Sequence, residues 1–213
     1  MSEKTTLKIS KPFGPTLGFA NIPESLIYKI NNFIDNEVVG REKKIIELDA
    51  GSDLVGQVTQ EIKLPPEIIK GELYEFLYKA TKAYIKLSIN KEISRFDLLS
   101  TWVVRQFENE YNPLHFHAGH ISGVGYLKIP ENFGEITHKQ KPSTHGNINF
   151  VHGSKQFLSN GYVSQKPRIG DFYFFPHYLY HSVNPFYGSG ERRSISFNAL
   201  INDEIYKVYG LDN

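Results

Sequence analysis

The chain has 213 residues, 40% of them hydrophobic and 14% aromatic, enough for one packed domain, or one domain with a helical annex. Twenty-four Lys and Arg stand against 23 Asp and Glu, so no single-sign field points to nucleic acid or an anionic membrane surface as partner. There are no cysteines; this excludes disulfides, cysteine-ligated zinc or iron–sulfur clusters and thiol catalysis, and leaves His, Asp and Glu to hold any transition metal.

The first stretch, "MSEKTTLKISKPFG", is polar and lacks the apolar core of a signal peptide, and no run approaches 18 apolar residues. The expectation is a cytoplasmic protein without a membrane span. In "IPESLIYKINNFIDNE" apolar residues at 26, 27, 30, 33 and 34 form one stripe at helical spacing, and Pro23 suits a first turn. In "PPEIIKGELYEFLYKATKAYIKLSI" a longer stripe runs through Ile69, Leu73, Phe76, Leu77, Ala80, Tyr84 and Leu87, with Gly71 weakening its start.

After about residue 97 the texture changes. Short β-rich runs alternate with turn residues: "LLSTWVVRQF", "ISGVGYLKI", "NINFV", "DFYFF", "HSV" and "RRSISFNALI". Helices first and strands later predict an α+β protein whose antiparallel strands form a sandwich, jelly roll or small barrel. Residues 131–147 read as a long polar loop, a candidate lid carrying His138 and His145.

Three of the eight histidines fall within "YNPLHFHAGHISGVGY", at 115, 117 and 120. A lone histidine is usually a surface or satisfied core residue. His115 and His117, two apart, share a face if the backbone is extended, and they follow a strand and turn, where a sheet presents ligands at its rim. His181, in "FPHYLYHSVNP", lies far enough along the chain to return beside them. Two ligands from one strand and one from a neighbour can cap one face of a metal ion and leave the other open, the logic of non-haem Fe(II) sites. The direction of His120 is not predictable from spacing, and His152 and His177 read as structural.

In "ERRSISFNALI", Arg192, Ser194, Ser196 and Asn198 share one face of a strand, and Arg193, Ile195, Phe197, Ala199 and Ile201 the other. The polar face either meets solvent or lines a cavity. In a cavity, Arg192 could clamp a carboxylate through parallel hydrogen bonds and Ser194 add a hydroxyl.

Together these residues resemble the 2-oxoglutarate/Fe(II) dioxygenases. The likeness is to the prolyl-4-hydroxylase-like branch and, within it, to bacterial and phage oxygenases known mainly from sequence. It covers roughly residues 99 to 202: Tyr111, His115-Phe116-His117, "GVGYL" with Tyr126, "GDFYFFPHYLYHSVNP" with His181, and Arg192-Arg193-Ser194. The resemblance implies a double-stranded β-helix, a cupin-like jelly roll over 97–203, with supporting helices over 20–96, all within one domain of 1–213. It implies Fe(II) on His115, His117 and His181. It implies 2-oxoglutarate with its distal carboxylate on Arg192, helped by Tyr126, Ser194 and Tyr111. The turn at Gly170-Asp171 would lead toward the His181 strand.

One position departs from most of the superfamily. His117 stands where Asp or Glu is usual, although the group this chain most resembles often has His there. A neutral imidazole leaves the site at +2 where a carboxylate would make it +1, three neutral histidines also suit zinc, and His117 could instead sit behind the ligands. The expected activity is hydroxylation of a protein side chain (prolyl-type) or a small molecule, using O2 and releasing succinate and CO2. The alternatives are a zinc hydrolase with three His ligands, or a non-catalytic jelly-roll binding module. A homodimer is compatible with the sequence; nucleic acid is not the expected partner.

Overall fold

The computed structural model describes residues 7–10, 14–136 and 140–211. Two short strands, β1 (Lys8–Ser10) and β2 (Leu17–Asn21), precede helix α1 (Glu24–Phe33), which runs on through a π-helical turn at Ile34–Val38. Helix α2 (Glu42–Glu47), strand β3 (Gln60–Lys63) and the single turn α3 (Pro66–Ile69) lead to the long helix α4 (Glu72–Ile89). Strands β4 (Phe96–Gln106), β5 (Asn112–His115), β6 (Ile121–Lys128), β7 (Ile148–Val151) and β8 (Tyr162–Gln165) follow. Then come β9 (Asp171–Pro176), β10 (Tyr180–Val183), β11 (Arg192–Ile201) and helix α5 (Asp203–Leu211).

The strands form two antiparallel sheets. The larger has the order β1-β2-β9-β6-β11-β4-β3 and the smaller β5-β10-β7-β8. The division into helices before residue 97 and strands after it needs correction: β1, β2 and β3 come from the first part and form both edges of the larger sheet. They are only three to five residues long and take their hydrogen bonds from neighbours already in place, so no local pattern announces them. The helix expected over 65–89 is two pieces, because Gly71 takes φ +86° between α3 and α4. Leu87 lies on the apolar stripe yet is 56% exposed, since α4 buries no side chain after Ile85.

The alternation of β11 decides which face goes where. Ile195, Phe197, Ala199 and Ile201 join Phe172 and Phe174 of β9 in a core capped by Leu26 and Ile30 of α1 and by Leu73, Phe76 and Leu77 of α4. Gly123 and Gly125 of β6 face this core because the rings of Phe197 and Phe172 occupy the space their side chains would need. On the other face, Val124, Tyr126, Tyr173 and Phe175 meet Ile148, Phe150 and Val183 of the smaller sheet. This two-sheet sandwich is a double-stranded β-helix with supporting helices on its outer face.

One polar network crosses the helical side. Arg193, fully buried, donates to Glu191 (2.7 and 2.9 Å), to Asn31 Oδ1 (2.9 Å) and to Asp35. Its cross-strand partner Arg105 also donates to Glu191, at 2.7 and 3.2 Å. Burial alone would raise the Glu191 carboxyl, but the bonds from Arg105 and Arg193 outweigh it and hold it at about 2. No helix among the described residues is long and apolar enough to cross a membrane.

Candidate metal centre

His115 ends β5 and pairs in register with His181 on β10. His117 lies two residues beyond the strand, its backbone N–H donating to His177 O at 2.9 Å. The Nε2 atoms of His115 and His117 are 3.2 Å apart, those of His117 and His181 3.1 Å, and the three ligand atoms lie within 4.8 Å of one another. Each Nδ1 faces an oxygen: His115 toward Pro113 O (2.7 Å), His117 toward Asn198 Oδ1 (2.7 Å) and His181 toward Leu179 O (2.9 Å). Those acceptors place the proton of each neutral ring on Nδ1 and leave three Nε2 lone pairs aimed at each other. Lone pairs at such spacing repel unless a cation lies among them. Nitrogens held about 2.1 Å from one ion at right angles stand about 3.0 Å apart, so the residues fit a metal.

Burial favours the neutral, ligating form. It lowers all three histidines, His117 to about 4 and His181 well below the ordinary value. Aromatic rings enclose the group: Trp102 lies 5.6 Å from His117, and Phe175 4.9 Å from His181, centre to centre.

The triad opens into a cavity of about 190 Å³ between the sheets. The polar face of β11 supplies its floor: Arg192, Ser194, Ser196 and Asn198 all line it, and the first three are no more than 7% exposed. The face is therefore a cavity wall and not a solvated surface. Arg192 donates from Nε to Gly146 O at 3.1 Å, and its Nη1 lies 3.5 Å from Ser194 Oγ. Its Cζ sits 4.9 Å from the centre of the Tyr126 ring. Its Nη2 is buried without a partner, and so is Tyr126 Oη beside it. No carboxylate pairs with Arg192 among the described residues. Burial pulls the Arg192 pKa down, yet a guanidinium does not give up its proton, so this is a buried cation without a counter-ion. Burial pushes the Tyr126 phenol up, which keeps it a donor. An anion with two carboxylate oxygens in reach of Nη2 and Oη would satisfy both groups.

Tyr111 is not brought to this group: it is 42% exposed, pairs through its backbone with Gln57, and lies outside the cavity wall. The ring of His120 stacks on Tyr206 at 3.8 Å, and its Nδ1 accepts from Ile201 N–H; it stands away from the triad. His177 bonds to His117 O and Tyr206 Oη, a supporting role. His138 lies outside the described residues. His145 points to Phe133 O and packs on Tyr187, so this end of the polar loop is docked, and its Gly146 carbonyl holds Arg192. Gly146 and the tethering role of Asn198 were not legible in the sequence, because each depends on a contact between distant segments.

Residues 100–198 match the family model described as "Putative 2OG-Fe(II) oxygenase", just under half of the chain. Over that stretch the chain is similar to the 2OG-Fe(II) oxygenases. The oxygenase fold is shared with a viral collagen prolyl hydroxylase from Paramecium Bursaria Chlorella virus-1, solved as a 2OG complex, at 16% identity and a TM-score of 0.52 over 85% of this chain and 94% of that one. It is shared with a Pseudomonas putida prolyl-4-hydroxylase at 16% identity and a TM-score of 0.52, over 85% and 91%. HygX from Streptomyces hygroscopicus, with nickel and 2-oxoglutarate bound, aligns at 13% identity and a TM-score of 0.51, over 84% and 81%. At these identities the likeness is one of fold. No curated protein sequence matches the chain. The family's cofactors are Fe(II) and 2-oxoglutarate, and both donor sets described above suit them.

Proposed function

We propose that the chain hydroxylates a protein side chain or a small molecule, with Fe(II) on His115, His117 and His181 and 2-oxoglutarate anchored by Arg192. The observation that carries this reading is the pairing of two unsatisfied sites in one fold. Three converging Nε2 atoms line the same cavity as a buried, uncompensated guanidinium. A zinc hydrolase would use the first and have no need of the second.

When bound, Fe(II), 2-oxoglutarate and O2 supply an oxidation in which the keto acid becomes succinate and CO2 and one oxygen atom enters a substrate C–H bond. The protein's own part is position and shielding. Arg192 and Tyr126 donate to the distal carboxylate, with Ser194 at the side of the guanidinium. Pro113 O, Asn198 Oδ1 and Leu179 O fix the three imidazoles. Trp102, Phe150 and Phe175 exclude water from the metal side. Two of the fold neighbours are prolyl hydroxylases, which supports a protein side chain as the first class of substrate to test.

The test is anaerobic addition of Fe(II) and 2-oxoglutarate. A weak visible charge-transfer band is expected in the native protein and should be lost in Arg192→Ala and His181→Ala. Succinate formation under O2 is the second readout. No band with iron, together with tight zinc binding and ester hydrolysis, would overturn the reading.

A further inference from the structure

The cavity wall holds a second buried ionisable group that the reaction as described does not use. Glu61, on β3, is 4% exposed and lines the same cavity as the histidines. Its carboxylate makes no hydrogen bond and no ion pair among the described residues. Cross-strand pairing fixes its place. Glu61 is opposite Val104, Val104 is opposite Ser194, and Ser194 is opposite Tyr126. The four side chains form one row across the inner face of the larger sheet. At about 4.8 Å per strand, Glu61 and Ser194 are about 10 Å apart.

The cavity therefore carries a buried cation on one flank and a buried, unpaired carboxyl group on the other, and Val104 and Ser194 keep them apart. Gly56 makes room for that carboxyl: a Cβ there would come within 2.6 Å of Glu61 Oε1. Asp53, also at the cavity, is already paired with Lys63 at 2.9 Å and exposed, so it does not compete for the same role. Trp102 lies in the next row, opposite Lys63 and Ser196, and lines the same cavity with its ring 5.6 Å from that of His117. Burial and the nearby Asp49 raise the Glu61 carboxyl to about 7, as expected for a carboxylate without a counter-ion.

We propose that the substrate carries a positively charged amino or guanidino group, and that Glu61 binds it while the adjoining methylene chain lies along Trp102 toward the three histidines. This rests on the oxygenase reading only in taking this cavity for the substrate's.

The probes are N-acetyl-lysinamide, N-acetyl-argininamide and the uncharged N-acetyl-norleucinamide, titrated by calorimetry at pH 8 into protein loaded with Ni(II) and 2-oxoglutarate. Loading is measured first, so failure of the oxygenase reading shows as failure to load. In the loaded protein at least one cationic probe should bind about tenfold or more tightly than norleucinamide. Glu61→Gln should remove that difference and leave norleucinamide binding as it was. Equal binding of charged and neutral probes, no binding of any probe, or a preference that survives Glu61→Gln would each overturn the proposal. The native comparison decides even if the variant does not fold. Preference between the lysine and arginine probes tells an amine from a guanidine substrate.

Discussion

His115 and His181 are direct cross-strand partners, one ending β5 and the other within β10. A register slip of one residue would turn one of them to the opposite face, so the pairing of the smaller sheet is itself a condition for assembling the metal centre. His117 joins from beyond the strand end, held by Asn198 and by its backbone bond to His177. His181→Ala should therefore abolish stoichiometric Fe(II) binding, while His117→Asp should retain it and His117→Ala weaken it at least tenfold. Equilibrium dialysis with ferrous iron under anaerobic conditions checks all three. Undiminished iron affinity in His117→Ala would remove that residue from the ligand set.

Arg192→Ala should weaken 2-oxoglutarate by roughly 2–5 kcal/mol, the usual cost of removing one partner of a buried charge pair, and leave metal affinity unchanged. Arg192→Lys should fall in between, since it keeps the charge but loses the forked donor geometry. Titration of each metal-loaded variant with 2-oxoglutarate, followed by calorimetry, is the measurement.

Binding of the metal and 2-oxoglutarate should stabilise the fold. A ligand at about 100 times its Kd contributes about 2.7 kcal/mol, which for a chain of this size corresponds to a rise of about 5–11 °C in Tm. Thermal melts with Ni(II) and 2-oxoglutarate together should show it, and Arg192→Ala should lose the part due to 2-oxoglutarate.

Glu191 gives the fold an acid-sensitive joint. Its carboxyl sits at about 2 when folded against an ordinary 4.5, so its contribution is complete above pH 4.5 and is lost as pH falls toward 2. The shift corresponds to about 3 kcal/mol. Urea unfolding between pH 6 and pH 3 should show a steeper loss of stability in the native protein than in Glu191→Gln, which starts less stable and changes less.

Gly125→Ala should destabilise by about 1–3 kcal/mol or more, because its new methyl would overlap the ring of Phe172. The same change at Gly123 meets Phe197 and Phe172 and should cost a similar amount, read from urea midpoints at an unchanged slope.

Much of this site could be read from residue order alone. The alternation of Arg192 to Ile201 was legible because both faces are used, one by the apolar core and one by the cavity. His115 and His117 were legible as a pair two apart that shares a face on extended backbone, and His181 as a histidine far enough along the chain to return beside them. Glu61 was not, since a glutamate between Gln60 and Ile62 beside Lys63 looks like part of a solvated edge; only β3 lying against β4 buries it. Tyr111 misled for the opposite reason. The family resemblance implied a place in the pocket, whereas the bridge to Gln57 leaves Tyr111 42% exposed and off the cavity wall.

The helices that cover Phe172, Phe174 and Phe197 come from outside the stretch matched by the oxygenase family, and so do β2 and β3. A fragment cut to residues 100–198 would keep all three histidines and Arg192 yet expose a broad oily surface and two unpaired sheet edges, and would self-associate before it could bind iron. The span that the family model matches and the span that can stand by itself in water are, for this protein, different lengths.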